Sequence, residues 1–414
     1  MRPHLPAYSL FAAFLASAGL PLYIHAPKFY VDEYGVSLAA LGGTLFVLRL
    51  LDVVQDPILG RLAERLRARR GVSVAIAGVM MALAMLGLFA VEPLIDPMWW
   101  FAVMLTVVFS AFSYLTICFY AQGVATAANL SGQGHLRLAR WRETGALIGI
   151  CAAAAAPVAL GGYAGFAVAF SMLACAALLA MKREWGGASI ASAGFGPVVQ
   201  DAVARRLLLI ALVNAAPVAV SSTLFLFFVE SRLQAPGWEG PYLLLFFLSA
   251  ALAAPVWGHL AEQVGAKAVL LGAMVLSIIA FASAILLKAG DLWEFAIVCV
   301  FSGAAIGADM TLLPALFSRR MEEISPGASE GFGLWSFVSK FTLAFAAVAL
   351  LPLLEMGGFE SGQNNSDDAL QLLSYLYAGV PCALKLIAIA LLTSTEVQQA
   401  PANQAGRVER RSSQ

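Results

Sequence analysis

Two short stretches decide the fold: Pro57-Ile58-Leu59-Gly60-Arg61-Leu62-Ala63-Glu64 and Pro255-Val256-Trp257-Gly258-His259-Leu260-Ala261-Glu262. They agree at five of eight positions and stand 198 residues apart, about half of the 414-residue chain. Each closes an apolar run long enough to cross a bilayer, and each run is the second of its half. A match at that distance, at the same place in both halves, reads as a parallel duplication of one helical unit.

The composition agrees. Hydrophobic residues make up 61% of the chain and charged residues only 12%, where a soluble domain is about a quarter charged. A membrane-spanning helix takes roughly 20 apolar residues, so the chain holds material for about twelve. Apolar windows fall near 6–29, 37–60, 72–92, 98–126, 142–161 and 163–181. They resume near 206–229, 239–260, 268–287, 293–316, 331–356 and 369–393. The expectation is an all-α membrane protein of twelve transmembrane helices in two six-helix bundles, residues 1–181 and 206–393. A linker over 182–205 and a disordered tail over 394–414 complete it. A soluble enzyme, a nucleic-acid binder and a disordered chain are excluded.

Lysine and arginine orient this layout. With both termini and the linker on one side, that side carries 19 of the 25 basic residues. The opposite loops carry Lys28, Arg232 and Lys288, and the spans hold Arg49, Lys340 and Lys385. The positive-inside rule makes the crowded side cytoplasmic, with the chain in the inner (plasma) membrane. The arginines around Glu64 (Arg61, Arg65, Arg67, Arg69 and Arg70) fit headgroup contact, or a latch onto a neighbouring helix end. The first apolar run reads as a retained span, since it lacks a basic n-region and a cleavage site.

Other chemistry is unsupported. No G-x-x-x-x-G-K-[ST] occurs, so ATP-driven transport has no sequence basis. The five cysteines fall inside apolar runs without a C-x-x-C pair, and the four histidines have no metal-ligand spacing. The expectation is a non-enzymatic monomer with no cofactor beyond a coupling ion, H⁺ or Na⁺. Its partners would be a small-molecule solute and the lipid bilayer, with no nucleic acid.

A charge inside the bilayer costs a few kcal/mol even on lenient insertion scales, about 2.5–3.5 at the helix centre. Span 2 nevertheless reads Leu48-Arg49-Leu50-Leu51-Asp52-Val53-Val54-Gln55-Asp56-Pro57. Asp52 and Asp56 are four apart, so they share one helix face, with Arg49 near it. Two carboxylates one turn apart repel when both are ionised, and a bound cation or a proton relieves this. Carboxylate oxygens also suit Na⁺ as hard ligands. The repeat puts Ala250 and Ala254 at the equivalent places, so the helix itself does not require the acids. Lys340 sits deep in span 11, where an ammonium facing the two carboxylates would offset their charge and compete with a cation.

Asp309 follows Gly303-x-x-x-Gly307 in span 10, a spacing that marks close helix packing. Arg142 opens span 5 beside Glu143, and Asn214 precedes Pro217 in span 7. With Thr116 and Tyr23, these are the candidates for the solute cavity. Lys385 lies about two turns from the end of span 12 and is expected to snorkel to the headgroups.

The span-2 stretch from Arg49 to Gly60, preceded by Gly43-Thr44-Leu45, resembles the signature of the glycoside–pentoside–hexuronide:cation symporters, whose type member is the melibiose permease. Tyr30-Val31-Asp32-Glu33-Tyr34-Gly35 is similar to that family's end of helix 1. Trp141-Arg142-Glu143-Thr144-Gly145 is similar to its helix-5 entry, and Gly333 to Lys340 to its lysine-bearing helix 11. The resemblance implies the major facilitator fold, a cation site at Asp52 and Asp56, Lys340 in the same polar cluster, Arg142 in the cavity, and alternating access. The chain departs at the sugar-binding acids. Ala16 falls at the helix-1 position, helix 4 carries no carboxylate, and Gln55 stands where Asn is common. The expected function is cation-coupled symport of a small solute, a sugar or glycoside being one class. A transporter of lysolipids or other amphiphiles from the same branch and a non-transporting membrane sensor remain alternatives.

Overall fold

The computed structural model describes residues 4–19, 26–36, 38–130, 134–186, 194–324, 328–359 and 365–396. All regular structure in these segments is helical. Among the described residues, eight rods are long and apolar enough to cross a membrane: Arg67–Phe89, Pro97–Ala128, Tyr163–Met181, Ala202–Arg232, Glu239–Val264, Ala266–Ala284, Leu292–Ile324 and Asp367–Thr393. Their helices are α4 (Arg70–Phe89), α5 (Pro97–Ala128), α7 (Tyr163–Met181), α9 (Ala202–Phe227), α10 (Glu239–Val264), α11 (Ala266–Ala284), α12 (Leu292–Ile324), α14 (Asp367–Ser374) and α15 (Val380–Thr393). Three further helices have spanning length: α3 (Leu38–Arg65), α6 (Gly134–Ala159) and α13 (Ser329–Met356). These three hold the charges singled out in spans 2, 5 and 11.

Span 1 is not one rod. α1 (Leu5–Ala16) stops at Ser17, whose hydroxyl donates to the Phe14 carbonyl, and α2 (Ala26–Tyr34) follows. Tyr23 lies between them, outside the described residues. Span 12 is continuous because a π-helical turn, Tyr375–Gly379, joins α14 to α15. In the linker, α8 (Gly196–Gln200) precedes α9, whose N-terminus is capped by the Asp201 carboxylate accepting from the Ala204 amide at 2.7 Å.

Between the halves, α3 packs on α13 and α6 packs on α10. The duplicated octapeptide lies at both crossings. A Cβ on Gly60 would stand 3.2 Å from the Gly333 Cα, so only glycine lets α3 and α13 approach this closely. Its counterpart Gly258 rests on the Arg140 side chain of α6, and Glu262 pairs with Arg140 at 3.6 Å. Gly303 and Gly307 serve the same end within the second half. A Cβ on either would press on the Phe246 or Ala250 carbonyl of α10.

The buried apolar groups show where the halves meet. Among the described residues, one continuous core runs through the first bundle and joins the linker-side ends of helices in the second, through residues such as Leu207, Met274, Leu316 and Phe332, and a small cluster of Leu147 with Ala250, Ala251 and Ala254 links α6 to α10. A separate core, centred on Phe228, Phe295 and Tyr377, fills the opposite end of the second bundle. The two bundles are therefore sealed together on the linker side.

Candidate functional site

The α3 carboxylates face the interface between the bundles. Asp52 is 5% exposed and Asp56 is fully buried. Lys340 of α13 reaches across and donates to Asp52 Oδ1 at 2.8 Å and to Asp56 Oδ1 at 3.1 Å. Both acids converge on one ammonium because they are four residues apart on one helix face, while the Gly60–Gly333 contact draws α13 against that face.

α5 completes the cluster. The Ser113 hydroxyl donates to Asp52 Oδ1 at 2.9 Å and also lies within hydrogen-bond reach of Lys340 Nζ. Gln55 Nε2 donates to Asp52 Oδ1 at 3.0 Å, and its own Oε1 accepts from Ser110 at 2.9 Å. Ser110 and Ser113 were not singled out in the sequence. Serines inside apolar spans usually satisfy their own helix, and nothing local marks these two as cross-helix donors. With both acids ionised and Lys340 protonated, these three side chains sum to one net negative charge. One proton or one Na⁺ would neutralise it. The Arg49 side chain falls outside the described side chains, although α3 contains the residue.

Deeper in the second bundle stands another buried group. Lys385 of α15, 1% exposed, donates to Asn214 Oδ1 of α9 at 2.7 Å and pairs with Asp309 Oδ2 of α12. The expectation that Lys385 snorkels is overturned. Its carbon stem never reaches the headgroups because a carboxylate and an amide carbonyl within the bundle replace the water it would seek.

A cavity of about 330 Å³ opens between the bundles. The first bundle contributes Tyr120 and Glu143; the second contributes Asn214, Asp309, Trp335 and Ser339 with an aliphatic remainder. Of the predicted cavity residues, Asn214 and Asp309 line it. Arg142 lies behind the wall, its guanidinium 3.8 Å from the Tyr120 ring centroid and its Nε donating to Glu143 Oε1 at 2.6 Å. Tyr120 donates to the same oxygen at 3.1 Å. Thr116, one turn from Tyr120, is not among the lining residues, and its hydroxyl is buried without a hydrogen-bond partner among the described residues. The sequence marks Glu143 only as a neighbour of Arg142; its place on the wall depends on how α6 packs.

α5 and α13 each serve both places. α5 supplies Ser113 to the charge cluster and Tyr120 to the cavity; α13 supplies Lys340 to the cluster and Trp335 and Ser339 to the cavity. Neither helix can shift without moving both.

On the linker side, Arg70 reaches from the start of α4 to Ser329 Oγ at 3.1 Å and to Gln122 Oε1 at 3.4 Å. His135 Nε2 lies 2.5 Å from Glu322 Oε2. Together with Arg140–Glu262, these contacts tie the bundles at that end.

Comparison with known proteins places this architecture. A family described as "MFS/sugar transport protein" matches residues 7–399. No curated protein matches. Among solved structures, a bacterial homologue of the iron transporter ferroportin in the outward-facing state with soaked iron has a TM-score of 0.70 at 13% identity, covering 96% of this chain and 100% of its own. The human organic anion transporter MFSD10 (TETRAN) has a TM-score of 0.59 at 15% identity, covering 94% and 98%. At these identities the likeness shows the fold alone.

Proposed function

Because the chain belongs to the MFS/sugar transport protein family and is a multi-pass membrane transporter, we propose that it is a cation-coupled symporter of a small solute. It would work by alternating access with H⁺ or Na⁺ as the coupling ion. The observation that carries this reading is the cluster of Asp52, Asp56 and Lys340 at the bundle interface, within hydrogen-bond distance across α3 and α13. A structural ion pair needs one acid per base; here two acids share one ammonium.

The physical basis of coupling is the cost of burying net charge. Without a bound cation, Asp52, Asp56 and Lys340 together carry one net negative charge, which resists complete closure of the interface. A cation entering between Asp52 and Asp56 neutralises it and displaces Lys340 partway toward Ser113. Because α13 carries both Lys340 and the cavity residues Trp335 and Ser339, cation occupancy reshapes the solute site. The bundles then rock about this midplane site. Prolines inside the spans, among them Pro157, Pro217, Pro314 and Pro352, remove helix hydrogen bonds where bending is needed. With the linker in the cytoplasm, as the basic residues favour, the linker-side seal supports reading this arrangement as outward-facing.

The test is accumulation in vesicles. Asp56→Asn is expected to abolish gradient-driven uptake, at least tenfold below wild type, while the protein stays folded. Normal accumulation by this variant overturns the coupling site. Imposing a Na⁺ gradient without a pH gradient, and then the reverse, identifies the ion.

A further inference from the structure

The wall of the interbundle cavity is chemically one-sided. Its ionisable acids are the carboxylates of Glu143 and Asp309, one from each bundle, and among the described residues no Lys, Arg or His lines it. Each acid has a cation, but both cations lie behind the wall. Lys385 is 1% exposed and meets Asp309 through Oδ2; Arg142 meets Glu143, itself only 3% exposed, and neither cation is among the lining residues. Each ion pair is thus a dipole with its negative end toward the cavity.

One acceptor is left open. Asp309 lines the cavity with its side chain 10% exposed, and its Oδ1, itself covered, has no hydrogen-bond partner among the described residues. An unpartnered carboxylate oxygen in such a place costs free energy unless a donor arrives. The hydroxyl donors on the wall are already used: Tyr120 donates to Glu143, and Ser339 donates to the Trp335 carbonyl at 2.9 Å. Asn214 adds an amide whose oxygen accepts from Lys385, and the rest of the surface is apolar, with aliphatic side chains such as Val218, Ile306 and Leu313 beside the ring of Trp335.

From this geometry we propose that the cavity binds an organic monocation, a protonated amine on an apolar or aromatic body, with the ammonium facing the carboxylates of Asp309 and Glu143. The inference rests on the transporter reading and names its solute class. An anion would meet two inward-pointing negative dipoles. A neutral polyol would bring acceptors as well as donors to a wall with few free donors. A cavity of about 330 Å³ matches a solute of modest size.

The test uses three matched probes on the purified full-length protein: phenethylammonium, 2-phenylethanol and 3-phenylpropanoate, measured by calorimetry. Phenethylammonium is expected to bind about tenfold or more tightly than the alcohol, the gain of one charge-assisted hydrogen bond, and the carboxylate to bind least. Asp309→Asn keeps an oxygen for Lys385 and is expected to erase the preference for the amine. Ala215→Phe fills the cavity from α9 and is expected to remove binding of all three, which keeps the test open should Asp309→Asn fail to fold. Equal binding of amine and alcohol, a preference for the carboxylate, or amine binding that survives Ala215→Phe overturns the proposal. Binding in detergent needs no ion gradient. Amine binding without gradient-driven accumulation therefore refutes the coupling reading and leaves this inference standing; accumulation of another solute without amine binding does the reverse.

Discussion

Lys340 and Asp52, 288 residues apart in sequence, lie 2.8 Å apart across the interface between the two bundles. The bond joins α13 to α3, and Asp56 shares the same ammonium at 3.1 Å. Removing the ammonium strands two buried carboxylates. Breaking a buried pair in this way costs about 3–5 kcal/mol. Lys340→Ala is expected to lower the melting temperature and to make it depend on cations. Added Na⁺, or a fall in pH, should then raise it more than in wild type. Identical Na⁺ and pH responses in the two proteins would show that the cluster does not hold a cation.

The Gly60–Gly333 crossing makes a conformational prediction. A side chain at Gly333 meets the Asp56 carbonyl at 3.0 Å and the Gly60 Cα at 3.2 Å, both of them backbone that cannot swing aside. Gly333→Val is expected to open the linker-side seal. A cysteine placed by Ser339→Cys should then react with a thiol reagent added from the linker side several times faster than in the otherwise wild-type protein. Unchanged reactivity would sink the idea that this crossing holds the seal.

Lys385, Asn214 and Asp309 form a group that should respond as a unit. Lys385→Met leaves Asp309 charged and buried, and is expected to destabilise the protein by about 3–5 kcal/mol. Adding Asp309→Asn removes the stranded charge and should recover most of that loss. A double variant whose melting temperature equals the sum of the two single effects would mean that the residues do not couple.

Where the linker meets the end of α12, Arg320 donates to both oxygens of Asp201, with Nε to Oδ1 at 3.0 Å, and holds this carboxyl below the usual carboxylate range of about 4. The folded value lies below the unfolded one. The stabilisation is therefore present at neutral pH and is lost as pH falls through the depressed folded value. Its size is small, since the pair is partly exposed. Arg320→Gln is expected to move the Asp201 midpoint upward, followed by carboxyl carbon NMR with Asp201→Asn supplying the assignment. A midpoint that does not move would assign the depression to the helix cap alone.

The apolar windows and the duplicated octapeptide determined the helical membrane class and the two-bundle plan, because hydropathy and helix length are local properties that a bilayer enforces at every span. The i, i+4 spacing put Asp52 and Asp56 on one face for the same reason. The repeat marked Gly60 and Gly258, yet only the packed bundles show that both lie at crossings between the halves. Partner choice was beyond the sequence. Lys340 and Lys385 are each a lone cation in an apolar run; one bridges the halves to Asp52 and the other turns inward to Asn214 and Asp309. Which acid an ammonium finds depends on the rotation and approach of helices far apart in the chain. The tertiary structure alone decided that the carboxylates of Glu143 and Asp309 face a cavity while their cations stand behind it.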